Sequence, residues 1–483
     1  MRGTKVDKIK VQPWKEKAKE RGQEMSRLKK RQAELRRSRD GWKGKAGYWK
    51  EEANYWRKSY EHQKRSCLSE GGSKPRRYRY SCLIICLSMW LRQGGNCSLR
   101  SCRQVIGLLK LVVELNCCLP SHNTIRNWEH KLGYYRLQSC VQAQEGPWVL
   151  IVDESIHIGQ QRLLLLLACR LKEQTFEAPL TFKDVRVLDV QVSRSWDHQR
   201  IGQRILACQQ RGYEFAYAIS DQGKALVKTM TEQGIVHISD CTHALGGLLE
   251  KQYKKCKRFQ AFSKLCGQLK QQLQNGRHSA WCPPTQRIKG RFLNLFPLGQ
   301  WAHKTLKALR QKTHPYLNLE LRQRMSFIMD YADLIEKIHR QCQTIKVLFK
   351  VLKTKGLSSI TQHQCLGILN RAKVDQPFRQ GVIQYLAHYV NQVDQYPQVL
   401  CCSDIIESYF GKFKNRLSPN GLLGFTANCL TLANLSEGFT LTEIKQAMEQ
   451  VPLLEVHQWV EQNIPDNAWT TRRKIFKNQG CFF

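Results

Sequence analysis

The sequence predicts an α/β protein: a mixed five-stranded sheet, interrupted by a large all-α insertion and preceded by an α-helical basic region. Three observations predict it. Short apolar runs bounded by turn residues crowd between residues 148 and 240, three in close succession and then two more with helical segments between them. Residues 250–400 instead repeat their apolar positions at steps of three and four, the helical period. Finally, the first 65 residues hold 22 Lys+Arg against 9 Asp+Glu, one third of the chain's whole positive surplus.

That surplus is +39, from 78 Lys+Arg and 39 Asp+Glu in 483 residues. Such a chain repels itself unless a polyanion is present, so double-stranded nucleic acid is the expected partner and an anionic membrane surface the weaker one. With 42% hydrophobic and 9% aromatic residues, most of the chain can bury a core, which a disordered basic tail could not. No apolar run approaches the roughly 18–20 residues that a membrane helix needs; the longest, Cys82–Leu91 and Leu163–Cys169, are core-sized. Met1 to Lys30 is almost entirely polar, so no export signal is expected and the twenty cysteines should be reduced. No CxxC pair occurs, which argues against structural zinc.

The basic arm, residues 1–66, is patterned. Ala18, Met25, Leu28, Leu35, Trp42, Ala46, Trp49, Ala53, Trp56 and Tyr60 fall on an a/d heptad stripe, with polar Arg21, Gln32 and Arg39 in the seam and Gly41, Gly44 and Gly47 weakening its middle. A helix of this kind pairs with another copy, lies along phosphates, or packs its stripe on its own body. Residues 67–145 form the next region. After the basic run Lys74–Arg79 they read as apolar helices ending in a short one, begun by Pro120 and Ser121 and stopped at Gly133. Ile125, Trp128 and Leu132 anchor it, while Asn123, Arg126, Asn127 and His130 lie elsewhere. That is the build of a helix-turn-helix reader, and Asn123, Arg126 and Asn127 are its candidate DNA contacts.

Residues 146–248 carry the strands. Trp148–Asp153 is continuous apolar sequence ending in an acid; Leu163–Ala168 and Val185–Val192 follow; Glu214–Asp221 again ends in Asp and precedes a helix over Lys224–Thr231; Gly234–Asp240 is the fifth. A hairpin region followed by parallel strands is the pattern of a ribonuclease-H-like domain. Carboxylates at the C-terminal edge of such strands suit phosphodiester chemistry, in which two divalent ions about 3.5–4 Å apart clamp the attacking and leaving oxygens. Mg²⁺ needs only a few carboxylate oxygens, so two Asp and one more acid suffice. The third acid is in the stretch Cys401–Arg416. Ser403 or Asp404 caps a helix there, with Glu407 in its first turn and Lys412, Lys414 and Arg416 behind it as candidate phosphate contacts. The same helix also reads as merely amphipathic, with Ile406, Phe410 and Phe413 in the core and Glu407 on the surface.

The ordered set Asp153, Asp221, Asp240-Cys-Thr-His243 and Ser403-Asp-Ile-Ile-Glu-Ser-Tyr-Phe-Gly-Lys-Phe-Lys414 resembles the DDE transposases of bacterial insertion sequences related to the Mutator and hAT groups. The segment Ser38–Ala46 looks like their basic N-terminal region. The resemblance spans residues 20–430. It implies a ribonuclease-H-like core and two Mg²⁺ (or Mn²⁺) ions per site, with Asp153 shared between them, Asp221 on one and Glu407 on the other. His243 would sit beside the scissile phosphate, or hold the fold. It also implies cleavage at terminal inverted repeats, strand transfer of the 3′-OH into target DNA, a homodimer or higher homo-oligomer, no membrane association, and a cytoplasmic place on the bacterial nucleoid. Asp221 and Asp240 both end strands; the Ser-Asp-Gln-Gly context followed by a helix favours Asp221. His157 is a tempting proton carrier, although a lone His on a strand turn is more often structural. A nuclease of the same fold without strand transfer, and a catalytically inactive DNA-binding derivative, are the rival readings.

Asp221 and Glu407 lie 186 residues apart, and residues 249–400 are the predicted insertion. Its expected helices are Leu248–Leu273, Trp301–Gln311, Leu319–Phe349 and Arg379–Val390. Trp281 and Trp301 would either stack on an extruded base or fill the core. Residues 401–440 return to the core with Glu407, and 441–483 form a helical appendage to which no chemistry is assigned.

Overall fold

In this computed structural model the described residues are 21–26, 28–29, 31–36, 39–40, 42–43, 46–47, 50–51, 54, 57, 74–112, 118–138, 147–171, 178–286, 291–392, 396, 398–417, 424–436 and 438–477. They fall into two units, residues 1–74 and 75–483. In the first, the described residues from Arg21 to Arg57 are helical and almost all exposed. The stripe positions Ala18, Trp49, Ala53, Trp56 and Tyr60 lie outside the described residues.

In the second unit, β1 (Trp148–Ile158), β2 (Gln161–Arg170), β3 (Val185–Ser193), β4 (Phe215–Ser220) and β5 (His237–Ser239) form one sheet in the order β3-β2-β1-β4-β5. β1, β2 and β3 are an antiparallel meander, whereas β4 runs parallel to β1 and β5 parallel to β4. Three helices precede the sheet: α1 (Cys82–Gln93), α2 (Leu99–Val112) and α3 (His122–Gln138). α4 (His198–Gln210) joins β3 to β4, and α5 (Lys224–Glu232) joins β4 to β5. The chain is then helical through α6 (Cys241–Lys254), α7 (Lys257–Leu273), α8 (Arg291–Arg310), the short α9 (Leu319–Arg324) and α10 (Phe327–Asp330), α11 (Ala332–Lys355), α12 (Ser359–Ala372) and α13 (Gln376–Gln392). α14 (Asp404–Lys414), a 3₁₀ segment (Ala427–Leu435), α15 (Leu441–Gln450), α16 (Leu453–Asn463) and α17 (Ala468–Lys477) complete it. Among the described residues no helix is long and apolar enough to cross a membrane.

The apolar runs are continuous because both faces of the sheet are covered. Val149 and Ile151 of β1, with Leu163, Leu165 and Leu167 of β2, face the insertion helices and α14; Leu150, Val152, Leu164 and Leu166 face α4 and α5. A third cluster joins α1–α3 to α15, with Ile85, Ile106, Trp128 and Leu132 packed against Ile444, Ala447 and Met448. The expected appendage therefore shares a core with the region before the sheet.

Several expectations are corrected. Leu248–Leu273 is two helices, broken at Lys255–Cys256, so that Tyr253 and Phe262 both reach one core. Leu319–Phe349 is three pieces, and α4 and α12 were not foreseen. Gly133 does not stop its helix: α3 continues to Gln138, and a Cβ at Gly133 would lie 2.1 Å from the Leu430 carbonyl oxygen. It is glycine because the 3₁₀ segment crosses α3 there, backbone against helix. His130 is not outward-facing either; it is buried, its Nε2 within 3.1 Å of Asn428 Oδ1, and burial pushes its pKa down to about 4.

Candidate active site

The parallel register of β1 and β4 sets the first two acids side by side. Ile151 pairs with Ile219, so two residues further on Asp153 and Asp221 come level; Asp221 directly follows the end of β4, whereas β1 does not end at Asp153 as expected but runs on to Ile158, paired with β2. Strand alternation puts both on the face of Val149, Ile151, Tyr217 and Ile219, the face covered by the insertion. A break in the β1–β2 register begins directly after Asp153, where the two strands stop matching residue for residue. Asp221 Oδ1 accepts the Gly223 N–H at 2.8 Å, which turns the chain toward α5.

Asp240 has a different position. Its side chain is 1% exposed and both oxygens are used: Oδ1 accepts the His243 N–H at 2.9 Å and caps α6, while Oδ2 accepts the Ser403 N–H at 2.7 Å and the Ser403 hydroxyl at 3.0 Å. Asp240 is thus the clasp between the start of α6 and the start of α14. The Cys241 N–H donates to the Cys401 carbonyl at 2.8 Å and the Thr242 hydroxyl to Asp404 Oδ1 at 3.2 Å, completing it.

The returning chain is held just upstream. The Leu400 N–H donates to the Tyr217 hydroxyl at 2.9 Å, and Leu357 and Val399 form a bridge. Gly356, at φ +61°, permits that bridge, since a Cβ there would lie 2.4 Å from the Val399 carbonyl oxygen. From α13, the Tyr385 and Tyr389 hydroxyls donate to the carbonyl and side-chain oxygen of Ser239 at 3.0 and 2.8 Å, tying the insertion to the sheet edge. α14 then buries Ile405, Ile406, Tyr409, Phe410 and Phe413 on the insertion face of the sheet, leaving Glu407 on its open side.

Electrostatics tie the four predicted residues together. Burial, and then the Asp221 carboxylate, push the Asp153 pKa up to about 7; Glu407 adds to the rise and His243 opposes it. Burial also raises Glu407, followed by Asp404, with His243 and Lys353 opposing. Asp153, Asp221, Glu407 and His243 therefore share one field. Lys353, from the end of α11, is ion-paired with Asp404. The sequence offered Asp404 only as a candidate cap, whereas Ser403 holds the N-cap position and Asp404 lies in the first turn; nothing near Lys353 in the sequence marks it. Glu154, raised first by burial and also by Asp221, with Arg162 opposing at 3.9 Å, is a further acid at this edge.

As a cation site, the set Asp153, Asp221 and Glu407 offers only carboxylate oxygens, the donors that hard divalent ions take. Among the described residues one group brings three possible donor atoms within 4.8 Å of one another, Asp240, Cys241 and Cys402; Asp153, Asp221 and Glu407 are not drawn that close together. In that group the Asp240 oxygens are hydrogen-bonded within the α6–α14 clasp. The Cys241 thiol is pushed well up by its hydrogen bond with Cys401 and by burial, and that of Cys402 by its hydrogen bond with Cys241 and by burial.

The chain is similar to a solved structure, the Drosophila P element transposase strand transfer complex, at 13% identity and a TM-score of 0.37, over 76% of this chain and 93% of that one. No family model matches the chain, and no curated protein matches its sequence.

The predicted DNA contacts divide. Ser121 caps α3, accepting the Thr124 N–H at 3.0 Å, and Ile125, Trp128 and Leu132 are buried as expected. Asn123 and Arg126 are exposed and Asn127 half-buried. Lys412 and Lys414 are exposed on α14, Lys412 with its Nζ 4.3 Å from the Phe182 ring centre. Arg416 departs from the expectation. Its side chain is 7% exposed and donates to the Arg92 carbonyl at 2.9 Å and to Gln93 Oε1 at 2.7 Å, beside the buried Glu129, which Arg92 pairs at 2.9 Å. The Arg sits inward because Glu129, itself buried in α3, needs counter-charge. Trp281 and Trp301 donate their indole N–H groups to the carbonyls of Tyr316 and Trp281, at 3.0 and 3.1 Å, and pack on the core. His157 is exposed on the far stretch of β1, opposite Arg162.

Proposed function

We propose that this chain is a DNA transposase with a ribonuclease-H-like core, in which Asp153, Asp221 and Glu407 hold two Mg²⁺ or Mn²⁺ ions. One observation carries the reading: Asp153, on the insertion-side face of β1, has its proton affinity raised by burial and by the carboxylates of Asp221 and of Glu407, which lies 186 residues beyond Asp221, in a chain of net charge +39. Carboxylates so placed are costly unless cations join them, and a basic surface is costly unless a polyanion does. Bound there, divalent ions would supply the charge that stabilises the attacking and leaving oxygens of a phosphodiester. The strand order and the mixed parallel and antiparallel pairing support the ribonuclease-H-like assignment.

In this reading the protein's own groups divide the work. Asp153 is presented from within β1 and Asp221 from just past the end of the adjacent β4, and Glu407 is brought toward them by the Asp240 clasp. His243, in the first turn of α6, lies in the field of Asp153 and Glu407 and donates a hydrogen bond to the scissile phosphate. Lys353 holds Asp404 in an ion pair that lowers the repulsion on Glu407. Asn123, Arg126 and Asn127 of α3 reach the terminal inverted repeats, and Lys412 and Lys414 hold the backbone near the cut.

The test is a labelled fragment of the DNA flanking the gene, incubated with protein and Mg²⁺ or Mn²⁺, with a target plasmid present. The expected products are a nick at the repeat end and a joined strand, both lost in Asp153→Ala, Asp221→Ala and Glu407→Ala while DNA affinity is kept. Nicking that survives Asp153→Ala overturns the assignment, and hydrolysis without any joining moves it to a nuclease of the same fold.

A further inference from the structure

The clasp between the starts of α6 and α14 carries an inference independent of the transposase reading. Cys241 opens α6 and Cys402 stands two residues before α14, so the two flank the insertion. Their sulfurs and an Asp240 carboxylate oxygen lie within 4.8 Å of one another. Around a tetrahedral zinc, with Zn–S about 2.3 Å and Zn–O about 2.0 Å, ligand atoms stand about 3.3–3.8 Å apart, a gap that small side-chain rotations close. The backbone presenting these groups is already fixed. The Cys241 N–H donates to the Cys401 carbonyl at 2.8 Å, and the Ser403 N–H to Asp240 Oδ2 at 2.7 Å.

Each donor has room for a cation. A carboxylate offers about four acceptor positions; Asp240 spends one on the His243 N–H and two on Ser403, which leaves one on Oδ1. The Cys402 sulfur accepts the Asp404 N–H at 3.5 Å, a bond that steadies a thiolate ligand. Both cysteines sit at helix N-termini, where the peptide dipoles favour negative sulfur. The Lys353 ammonium lies in the field of both sulfurs and adds positive charge. After their mutual hydrogen bonds and burial, the Asp240 charge also raises both thiols; crowding of negative groups that retains protons favours equally a cation that displaces them. Cys401 differs, since its thiol is directed to the Leu352 carbonyl at 3.8 Å. Two sulfurs and a carboxylate make a donor set for Zn²⁺: Mg²⁺ and Ca²⁺ take oxygen, and Cu(I) prefers sulfur alone.

We propose that Cys241, Cys402 and Asp240 form a zinc site that staples the start of α6 to the start of α14, with water entering beside the half-buried Cys402 as the fourth ligand. The staple fixes the helix that carries Glu407. Its two sulfurs come from opposite ends of the insertion, so no CxxC spacing marks it in the sequence.

The experiment titrates the full chain, with thiols kept reduced, with Co²⁺ as a coloured stand-in for zinc. One equivalent produces a thiolate-to-cobalt charge-transfer band; Zn²⁺ abolishes it and excess Mg²⁺ does not. Cys241→Ser and Cys402→Ser each remove the band and weaken zinc binding by more than about 100-fold, beyond the 10–100-fold that losing an outer partner costs. Cys401→Ser and Asp153→Ala both keep it, so this site and the carboxylate site fail separately. On the wild-type chain Zn²⁺ slows alkylation of Cys241 and Cys402, a readout that needs no variant to fold. Absence of the band, a band that survives Cys241→Ser or Cys402→Ser, its loss in Cys401→Ser, or alkylation indifferent to zinc each overturns the proposal.

Discussion

Replacing Asp153 with Asn should stabilise the protein in the absence of divalent ions, and only where the acid would be charged. The carboxyl pKa stands at about 7 against an ordinary value of 3.8. A rise of about three units at 1.36 kcal/mol each bounds the cost of the charged form at about 4 kcal/mol, and solvent reaching the half-buried group brings the expected effect to about 2 kcal/mol. The folded-state pKa lies above the unfolded one, so between the two the native state binds more protons. Stability is therefore full below about pH 4 and is lost as pH rises through about 7. An amide does not titrate and escapes that loss. Urea unfolding in EDTA should accordingly show Asp153→Asn more stable than wild type by about 2 kcal/mol at pH 8 and by about a third of that at pH 5. Adding Mn²⁺ should then raise the wild-type midpoint and leave that of the variant nearly unmoved, because binding to the native state alone stabilises it. A variant less stable than wild type at pH 8, or a gain equal at both pH values, would refute the idea that repelling, desolvated carboxylates meet at this edge.

Three further outcomes follow from the packing. Gly133→Ala should cost more than about 3 kcal/mol, read as a lower urea midpoint or loss of soluble protein, because its Cβ would lie 2.1 Å from a backbone oxygen that cannot swing away. Glu129→Gln should cost about 3–5 kcal/mol by leaving Arg92 and Arg416 buried without an anion, and Arg416→Met in the same chain should recover part of it in a double-mutant cycle. Arg126→Ala should lower DNA affinity and reduce the slope of log affinity against log salt by about 1, whereas Arg416→Ala should leave that slope unchanged.

The local elements were legible where one strong periodicity ruled. The strands of the sheet announce themselves as apolar runs because both of their faces are covered, and Asp153, Asp221 and Asp240 stand out as the acids that end three of those runs, although β1 continues past Asp153 to Ile158. Glu407 was legible only through the order of the motif set; taken singly, an acid on an amphipathic helix says nothing about what faces it. The insertion helices were found in part, since helical period is strong, but their breaks at Lys255 and Met325 carry neither Gly nor Pro and follow from which core each piece must reach. Gly133 misled for the converse reason: a glycine that normally ends helices was there to let another backbone pass.

By itself the sequence determined the strands and most of the helices, the positive charge, the heptad stripe and the positions of the acids, because period, composition and capping chemistry are properties of neighbours along the chain. Only the tertiary structure set Asp221 level with Asp153 and used both oxygens of Asp240 in the α6–α14 clasp. It alone turned Arg416 inward to Glu129 and brought Lys353 to Asp404. The physical reason is the same in each case: a polar group's role is set by which partners satisfy it, and those partners lie tens or hundreds of residues away.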